Sequence, residues 1–256
     1  MIEVINIHKQ FEDKSILNDI SATFENGVTN LIIGQSGAGK TVLLKCIVGL
    51  LTPDKGKVIY DGCDVTTLKQ KEKIALRREI GMLFQSAALV DSMSVLENVM
   101  FPLDMFSNMT YKERLARAKA CLDRVNLIDA QEKYPEEISG GMQKRAAIAR
   151  AIALEPKYLF CDEPNSGLDP QTSLIIDELI HDITREYNIT TVINTHDMNS
   201  VMGIGDHILF LAGGKLAWEG DKTQILNSHC TQLNDFLFSS EILRQVRDQA
   251  RREEKR

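Results

Sequence analysis

Residues 34–41 read GQSGAGKT, and this short stretch decides the fold. It satisfies the pattern G-x-x-x-x-G-K-[ST], a glycine-rich loop whose backbone N–H groups can approach phosphates. The preceding VTNLIIG is typical of a short buried strand that ends at the first glycine, and the following KTVLLKCIVGLL has helical spacing. Because a strand before the loop and a helix after it are the expected context, the sequence predicts a P-loop nucleotide-binding site.

Individual residues of this loop have distinct expected roles. Lys40 can reach the β- and γ-phosphates of a nucleotide, and the Thr41 hydroxyl can ligate Mg²⁺. The helix N-terminus that follows the loop adds positive electrostatic potential. The expected nucleotide-binding residues of the loop are Gly34, Gln35, Ser36, Gly37, Ala38, Gly39, Lys40, Thr41 and Val42.

Two carboxylates follow a second apolar strand, YLFCDE, at residues 158–163. Alternation along a strand aims Asp162 and Glu163 in different directions. We expect Asp162 to hold the magnesium ion through water, and Glu163 to orient and deprotonate the attacking water. A purely structural acid pair is disfavoured, since unpaired buried carboxylates are costly.

Two further polar residues come after predicted strands. His196 follows ITTVINT (189–195), and Gln85 closes the segment GMLFQ. Because ligands bind at the carboxyl edge of a parallel sheet, His196 is expected beside the phosphates as a catalytic residue. Gln85 lies at the start of a helical segment, and it is expected to transmit the presence of the γ-phosphate to that segment.

The order of strand and helix signals predicts an α/β sheet with a helical insertion. Strand patterns fill the first third of the chain, helical patterns run from about 86 to 155, and strands resume at 157–162 and 189–195. A helix is expected over about 171–187, with Asp169 as its N-cap. The stretch HILFLAGGKLAWEG reads as a hairpin.

A second glycine pair lies in ISGGMQKR, residues 138–145. Ser139 is a good N-cap, so the N–H groups of Gly140 and Gly141 should face outward as a second anion site. A helical insertion cannot easily fold back onto its own phosphate loop. We therefore expect two chains packed head to tail, each presenting its 139–141 turn to the γ-phosphate held by the other.

Composition limits the classes of function. A net charge of −6 argues against non-specific nucleic-acid binding. The longest apolar runs fall short of the 18 or so residues that a membrane-spanning helix needs, and the start lacks a signal-peptide pattern. The five cysteines have no C-x-x-C spacing, which favours reduced thiols in core positions. These features predict a soluble intracellular protein.

Seven elements in chain order over residues 1–225 resemble the ATPase subunit of an ABC transporter. GQSGAGKT is similar to the Walker A motif, ISGGM to the signature, and YLFCDE to Walker B. The other resemblances are Phe11 to the aromatic ring that stacks on adenine, Gln85 to the Q-loop, SGLD (166–169) to the D-loop, and His196 to the switch histidine.

The resemblance implies an ABC ATPase fold: a RecA-like P-loop NTPase core, an N-terminal antiparallel β subdomain and the inserted helical subdomain. It divides the chain into an ATPase domain, 1–225, and a C-terminal helical extension, 226–256. ATP and Mg²⁺ are the implied cofactors. The residues implied at the metal ion are Thr41, Gln85 and Asp162, and those implied at the partner-facing nucleotide contacts are Ser139, Gly140, Gly141 and Asp169.

The implied partners are a second copy of the chain in an ATP-sandwiched dimer, a membrane permease and a substrate-binding subunit, with no nucleic acid. The chain would then sit peripherally on the cytoplasmic side of the inner membrane. Met142 stands where the family's signature usually has glutamine. This departure, with MLFQSAALVDSMSVLENVMFPL, resembles the maintenance-of-lipid-asymmetry (Mla) type, which moves phospholipids between bacterial membranes.

Several alternatives stay open at this point. An ABC transporter for another substrate is one, a non-transport ABC ATPase is a second, and a metabolic P-loop kinase is a third, although the kinase leaves ISGGM and His196 unexplained. The segment NVMFPLDMFSNM (98–109) is either subdomain core or a groove for a permease helix. An apolar stripe in the tail, 233–256, either packs on its own domain, attaches to the membrane surface or contacts the neighbouring subunit.

Overall fold

The computed structural model describes residues 1–238, which form two sheets and the helices around them. The strands are β1 (Ile2–Phe11), β2 (Lys14–Phe24), β3 (Thr29–Ile33), β4 (Lys55–Tyr60), β5 (Cys63–Asp64), β6 (Ile80–Leu83), β7 (Tyr158–Asp162), β8 (Thr190–Thr195), β9 (His207–Ala212) and β10 (Lys215–Gly220). The helices are α1 (Lys40–Val48), α2 (Gln70–Arg78), α3 (Val95–Phe106), α4 (Tyr111–Arg124), α5 (Gly140–Ile152), α6 (Pro170–Glu186), α7 (Met198–Ile204) and α8 (Thr231–Leu237).

The two sheets differ in strand direction. The smaller sheet has the order β2-β1-β4-β5 and is antiparallel. The larger has the order β10-β9-β3-β8-β7-β6 and is parallel except for the β9–β10 hairpin. The structure therefore confirms the predicted α/β class, with an N-terminal antiparallel sheet beside a P-loop NTPase core.

Three central strands position the site. Every residue of β3, β7 and β8 is buried, as expected for parallel strands covered on both faces. One apolar core lies between these strands, α1 and the small sheet, and a second lies between the large sheet and helices α3 to α8. Because the three strands run in the same direction, their carboxyl ends meet at one edge of the sheet.

Helices α3, α4 and α5 make up the predicted helical insertion. Ser94 and Thr110 cap α3 and α4, each paired in a capping box with a glutamate three residues later. Helix α4 has an apolar face on the core, with Ala118 and Leu122 buried and Leu115 packed beside them. Pro102 lies inside α3, and its missing N–H removes one bond of that helix.

Helix α2 is an element that the sequence patterns did not predict. It consists of QKEKIALRR, and none of its residues is buried. Its apolar residues are Ile74, Ala75 and Leu76, of which Leu76 packs partly buried against the core beside α1, and so short an apolar run gives little periodic signal. The Glu72 carboxylate accepts the Lys69 backbone N–H at 2.7 Å, and arginines lie in the last turn, both of which favour the helix locally.

The segment 98–109 contains both a core face and an exposed face. Met100 and Leu103 are buried, whereas four other side chains are exposed. Those four are Phe101, Met105, Phe106 and Met109. Each of the two sequence interpretations thus describes a different face of α3 and of the loop after it.

The C-terminal region is described only to residue 238. Helix α8 packs Leu233 and Leu237 into the larger core. Most of the predicted apolar stripe of the tail lies outside the described residues. Among residues 1–238, no helix has the length and apolar character needed to cross a bilayer. The five cysteines carry no disulfide, and three of them are buried.

Candidate functional site

A cleft of about 750 Å³ opens at the carboxyl edge of the large sheet. It collects most of the P-loop together with the two residues that follow β7 and β8. Its lining residues are Lys14, Ile16, Gly34, Gln35, Ser36, Gly37, Gly39, Lys40, Thr41, Val42, Glu163, His196 and Phe236. The structure thus brings Glu163 and His196 to the phosphate loop, as expected from the sheet edge.

Two glycines allow the loop its tight path. Gly34 has φ 151° and Gly39 has φ 101°, both in the region that favours glycine. A Cβ atom at residue 34 would lie 2.3 Å from the Leu211 carbonyl oxygen, and one at residue 39 would lie 2.8 Å from a Leu17 methyl carbon. The loop therefore fits against β9 and β2 only because these positions lack side chains.

Lys40 lies largely inside the loop. Its ammonium group donates hydrogen bonds to the carbonyl oxygens of Gly34, at 2.8 Å, and Gln35, at 3.2 Å. Burial lowers the pKa of Lys40, and the charges of Glu163 and Asp162 oppose that shift. The P-loop therefore presents a positive charge at the point where its backbone turns.

The residues expected at magnesium form a compact oxygen-rich group. The Thr41 hydroxyl donates to Asp162 Oδ1 at 3.2 Å, and Asp162 is buried. A hydroxyl and a carboxylate are the hard ligands that Mg²⁺ prefers, with phosphate oxygens completing its octahedron. Thr41 and Asp162 therefore fit the ion. Gln85 lies apart from this pair, with its amide donating to Ser166 Oγ at 3.1 Å, and its metal role stays a prediction.

Glu163 is held at a sharp turn. Its φ is 48°, in the left-handed region that is strained for a residue with a side chain. Its backbone N–H donates to the Asn194 carbonyl oxygen at 3.0 Å, and its carboxylate lies 3.2 Å from His196 Nδ1. The carboxylate is thus aimed out of the strand into the cleft, where a base for water is needed.

Two basic side chains of α5, one buried and one half-buried, hold Gln85 and the segment after it. Lys144 donates to the Gln85 carbonyl oxygen, and Arg150 donates to those of Ala87, at 2.7 Å, and Ala88, at 2.6 Å. Ala87 and Ala88 have φ of 59° and 51°. This contact between α5 and the Q-loop was missed from the sequence, because a lysine and an arginine on a helix read as surface charges.

The second glycine pair lies outside the cleft of its own chain. Ser139 caps α5 by accepting from the Met142 N–H, as predicted. Gly140 is exposed, and Gly141 packs against Thr172. The first N–H groups of a helix have no acceptor within it, so this turn can receive an anion.

Two other predicted nucleotide contacts also lie outside the cleft. Phe11 is 45% exposed at the end of β1, with the Lys9 ammonium 5.5 Å from its ring centre. Asp169 caps α6 by accepting from the N–H groups of Gln171 and Thr172, which confirms its predicted place in the helix. The nucleotide contacts proposed for both residues stay predictions.

A partly buried polar network connects Asn165, the residue before the D-loop, to α6 and to the helix after His196. The Asn165 amide donates to Asp177 Oδ1 of α6 at 2.8 Å and to Ser200 Oγ of α7 at 3.1 Å. Asp177 is only 3% exposed, and burial raises its pKa to about 6, with the charges of Asp197 and Glu178 adding to the shift.

We expect Asp177→Asn to stabilise the protein, and increasingly so as pH rises. The raised pKa means that the folded state binds this proton more tightly than the unfolded state does. The wild type therefore loses free energy of unfolding between about pH 4 and about pH 6, up to roughly 3 kcal/mol. Urea unfolding at several pH values measures the difference. The exposed Asp182→Asn is the control, and a constant difference across pH would contradict the prediction.

Comparison with known proteins gives consistent matches. The family model described as ABC transporter matches residues 17–166. Similar curated proteins include the methionine import ATP-binding protein MetN of Photobacterium profundum, 41% identical over 91% of this chain and 69% of the relative. MetN of Vibrio cholerae is 40% identical, over 91% of this chain and 69% of the relative.

Solved structures agree with these matches. The dimeric post-hydrolysis state of the ATP-binding cassette MJ0796 bound to ADP and Pi is 32% identical, with a TM-score of 0.79 over 87% of this chain and 99% of that one. The cbiO1 structure from Clostridium perfringens, part of the ABC transporter complex cbiONQ, is 26% identical, with a TM-score of 0.83 over 96% of this chain and 98% of that one.

These relatives bear on the substrate that the sequence resemblance implied. The curated proteins named above are described as methionine importers, so they do not support the Mla-type assignment or its phospholipid cargo. They agree better with the wider alternative, an ABC ATPase for another substrate. The ABC ATPase fold itself is confirmed by the family model and the structural matches.

Proposed function

We propose that this chain, which belongs to the ABC transporter family as an ATP-hydrolysing subunit, energises a permease. It would do so by closing around ATP together with a second copy of itself and by opening again. The single observation that carries this proposal is the arrangement of the cleft. The phosphate loop, the proposed metal ligands and the proposed base that deprotonates water lie at one edge of the sheet, whereas the Ser139 turn lies outside the cleft.

Each side chain of the cleft has a proposed role toward Mg²⁺–ATP. Lys40 and the loop N–H groups would neutralise the phosphate charge, and Thr41 and Asp162 would hold Mg²⁺, which supplies further neutralisation. Glu163 would accept the proton of the attacking water. His196, with its Nδ1 3.2 Å from the Glu163 carboxylate, would fix the orientation of that base.

The second copy would complete the site. Its Gly140 and Gly141 N–H groups would receive the γ-phosphate, with Ser139 beside them. Support comes from the exposure of Ser139 and Gly140 and from the neighbouring cassette MJ0796, which is described as dimeric. Hydrolysis would remove the shared anion and release the two copies from each other.

The proposed permease contact is the exposed face of α3. Phe101, Met105 and Phe106 are each at least 40% exposed, and the Arg78 guanidinium lies 5.9 Å from the Phe106 ring centre. Flexible methionine beside aromatic rings suits a groove that grips a helix through conformational change. The chain would then lie peripherally on the cytoplasmic face of the membrane.

We expect Met105→Lys to reduce recovery of the permease at least tenfold when the tagged chain is purified from detergent-solubilised membranes. A buried charge in the contact costs several RT. Nucleotide binding by the isolated chain should stay unchanged, since no residue of α3 lines the cleft. Leu174→Lys on α6, which replaces a side chain with 50% exposure, is the matched control. Equal recovery of both variants would place the contact elsewhere.

Two classes of transported substrate are proposed. The methionine importers among the relatives favour a small amino acid delivered by a substrate-binding subunit. A second candidate, phospholipid, is favoured by Met142 in the signature and by the segment 82–103, on which the Mla resemblance rests. The two candidates require different binding partners.

Identification of the co-purified subunits distinguishes them. Under the first candidate, a captured binding subunit binds L-methionine or a related amino acid in calorimetry, and this ligand stimulates ATP hydrolysis by the reconstituted complex. Under the second, organic extraction of the captured subunit releases phospholipid, detected by mass spectrometry. Recovery of the chain without any membrane protein would contradict the transport function for both candidates.

A further inference from the structure

Asn194 is a polar residue in the middle of a buried sheet, directly beside the metal-binding carboxylate. It belongs to β8, follows Val192 and Ile193, and is 0% exposed. Its side-chain amide donates to Asp162 Oδ1 at 3.0 Å. The same oxygen accepts from the Thr41 hydroxyl, so two donors from different elements fix one oxygen of Asp162.

The backbone of Asn194 also holds the neighbouring carboxylate. In the parallel register of β7 and β8, Asp162 pairs with Asn194. The Asn194 carbonyl oxygen accepts the Glu163 N–H at 3.0 Å, at the point where the chain turns into its left-handed conformation. One residue of β8 is thus bonded to both members of the acidic pair.

Within the part of the chain that the structure describes, the side-chain oxygen of Asn194 makes no hydrogen bond that would offset the cost of its burial. Among residues 1–238, its Oδ1 is buried and has no hydrogen-bond partner. Burying an amide oxygen without a partner is costly. Asn30 on β3 offers a contrast, because it is equally buried but its amide bonds to the carbonyl oxygens of Glu25 and Thr191, and its oxygen accepts the Glu25 N–H.

We propose that Asn194 is a positioning residue for the metal site, orienting Asp162 toward Mg²⁺, and that the protein retains it there at the expense of stability. The amide bond fixes the plane of the Asp162 carboxylate, leaving Oδ2 for the ion's water shell. Partners of metal-binding groups that act in this way typically change metal affinity by about 10–100-fold when they are removed. The inference rests on the proposed function of Thr41 and Asp162 as the magnesium site.

The test compares metal binding with stability in Asn194→Leu. Leucine keeps the branched shape and the number of heavy atoms of asparagine, with somewhat greater bulk, but cannot donate to Asp162. In the full chain with ADP, we expect the affinity for Mn²⁺, measured by electron paramagnetic resonance, to fall about tenfold. Affinity for ADP without metal should be unchanged. The melting temperature should fall by no more than about 3 °C, because an unpaired polar atom is removed together with the bond.

Asn30→Leu is the matched control, since it replaces a fully bonded buried asparagine on the neighbouring strand β3, where it pairs with Val192 and makes no bond to Asp162. It should lower the melting temperature by more than Asn194→Leu does and leave the Mn²⁺ affinity of the folded protein unchanged. Asn194→Ala adds no branched bulk and should reproduce the loss of Mn²⁺ affinity even where leucine disturbs packing.

Two results have distinct meanings. If wild-type protein with ADP binds Mn²⁺ but both Asn194 variants bind it equally well, the positioning role is wrong while the metal site stands. If Asp162→Asn also leaves Mn²⁺ affinity unchanged, the proposed metal site itself is wrong. A melting temperature that falls as far as in Asn30→Leu, with metal affinity intact, would make Asn194 a structural residue and overturn the inference.

Discussion

Glu163→Gln should reduce the turnover of ATP by at least a hundredfold while leaving ATP affinity close to that of the wild type. Loss of a general base typically costs 10²–10⁴-fold in rate. Glutamine has the same shape as glutamate, so the left-handed turn at φ 48° and the bond to the Asn194 carbonyl oxygen should persist. Asp162, Thr41 and the P-loop are untouched, and nucleotide binding should therefore survive.

The variant should also accumulate as an ATP-bound dimer, since hydrolysis is what removes the shared γ-phosphate. Turnover is measured by phosphate release, affinity by fluorescence of a labelled nucleotide, and dimerisation by light scattering with ATP. Glu155→Gln is a matched control, because Glu155 is a second glutamate with a positive φ, 54°, and it does not line the cleft. Turnover above about a tenth of the wild-type rate would remove Glu163 from the proposed role of base.

Gly140→Asp should abolish turnover almost completely, with little change in ATP affinity of the single chain. A carboxylate at the start of α5 would meet the partner's γ-phosphate with like charge, where a positive helix terminus is proposed. Residue 140 suits this test better than 141. A Cβ atom at 140 lies 3.7 Å from Leu168, in ordinary contact, whereas one at 141 lies 2.6 Å from the Thr172 methyl group.

Gly140→Ala is the control for this variant, because it adds the same Cβ atom without the charge. A loss of at least a hundredfold is expected for aspartate, and a much smaller loss for alanine. Equal losses in both variants would point to backbone geometry at the turn rather than to charge.

Mixing subunits tests whether the two halves of the site come from different chains. Lys40→Ala disables the P-loop and keeps the α5 turn, whereas Gly140→Asp does the reverse. Each is inactive alone, but a mixed dimer contains one intact site. Random pairing should therefore restore at most about a quarter of wild-type turnover, given two-fold symmetry. Hydrolysis by either variant alone, independent of protein concentration, would contradict a shared site.

The sequence by itself determined the elements whose chemistry is local. The P-loop, the two carboxylates at the end of YLFCDE, the N-caps at Ser139 and Asp169 and the β9–β10 hairpin were predicted, because spacing and residue type dictate backbone shape over a few neighbouring residues. The placement of His196 could also be anticipated, since parallel strands bring their carboxyl ends to one edge of the sheet and so carry His196 to the phosphates.

Only the tertiary structure decided the interactions between distant segments. Helix α2 was missed because it buries no residue, and the two faces of α3 could not be assigned before its neighbours were known. Asn194 reads as one polar residue in an apolar strand. Its meaning depends on the parallel register that sets it opposite Asp162, 32 residues away. Hydrogen bonds of this kind follow from strand pairing over long loops, and no local pattern encodes them.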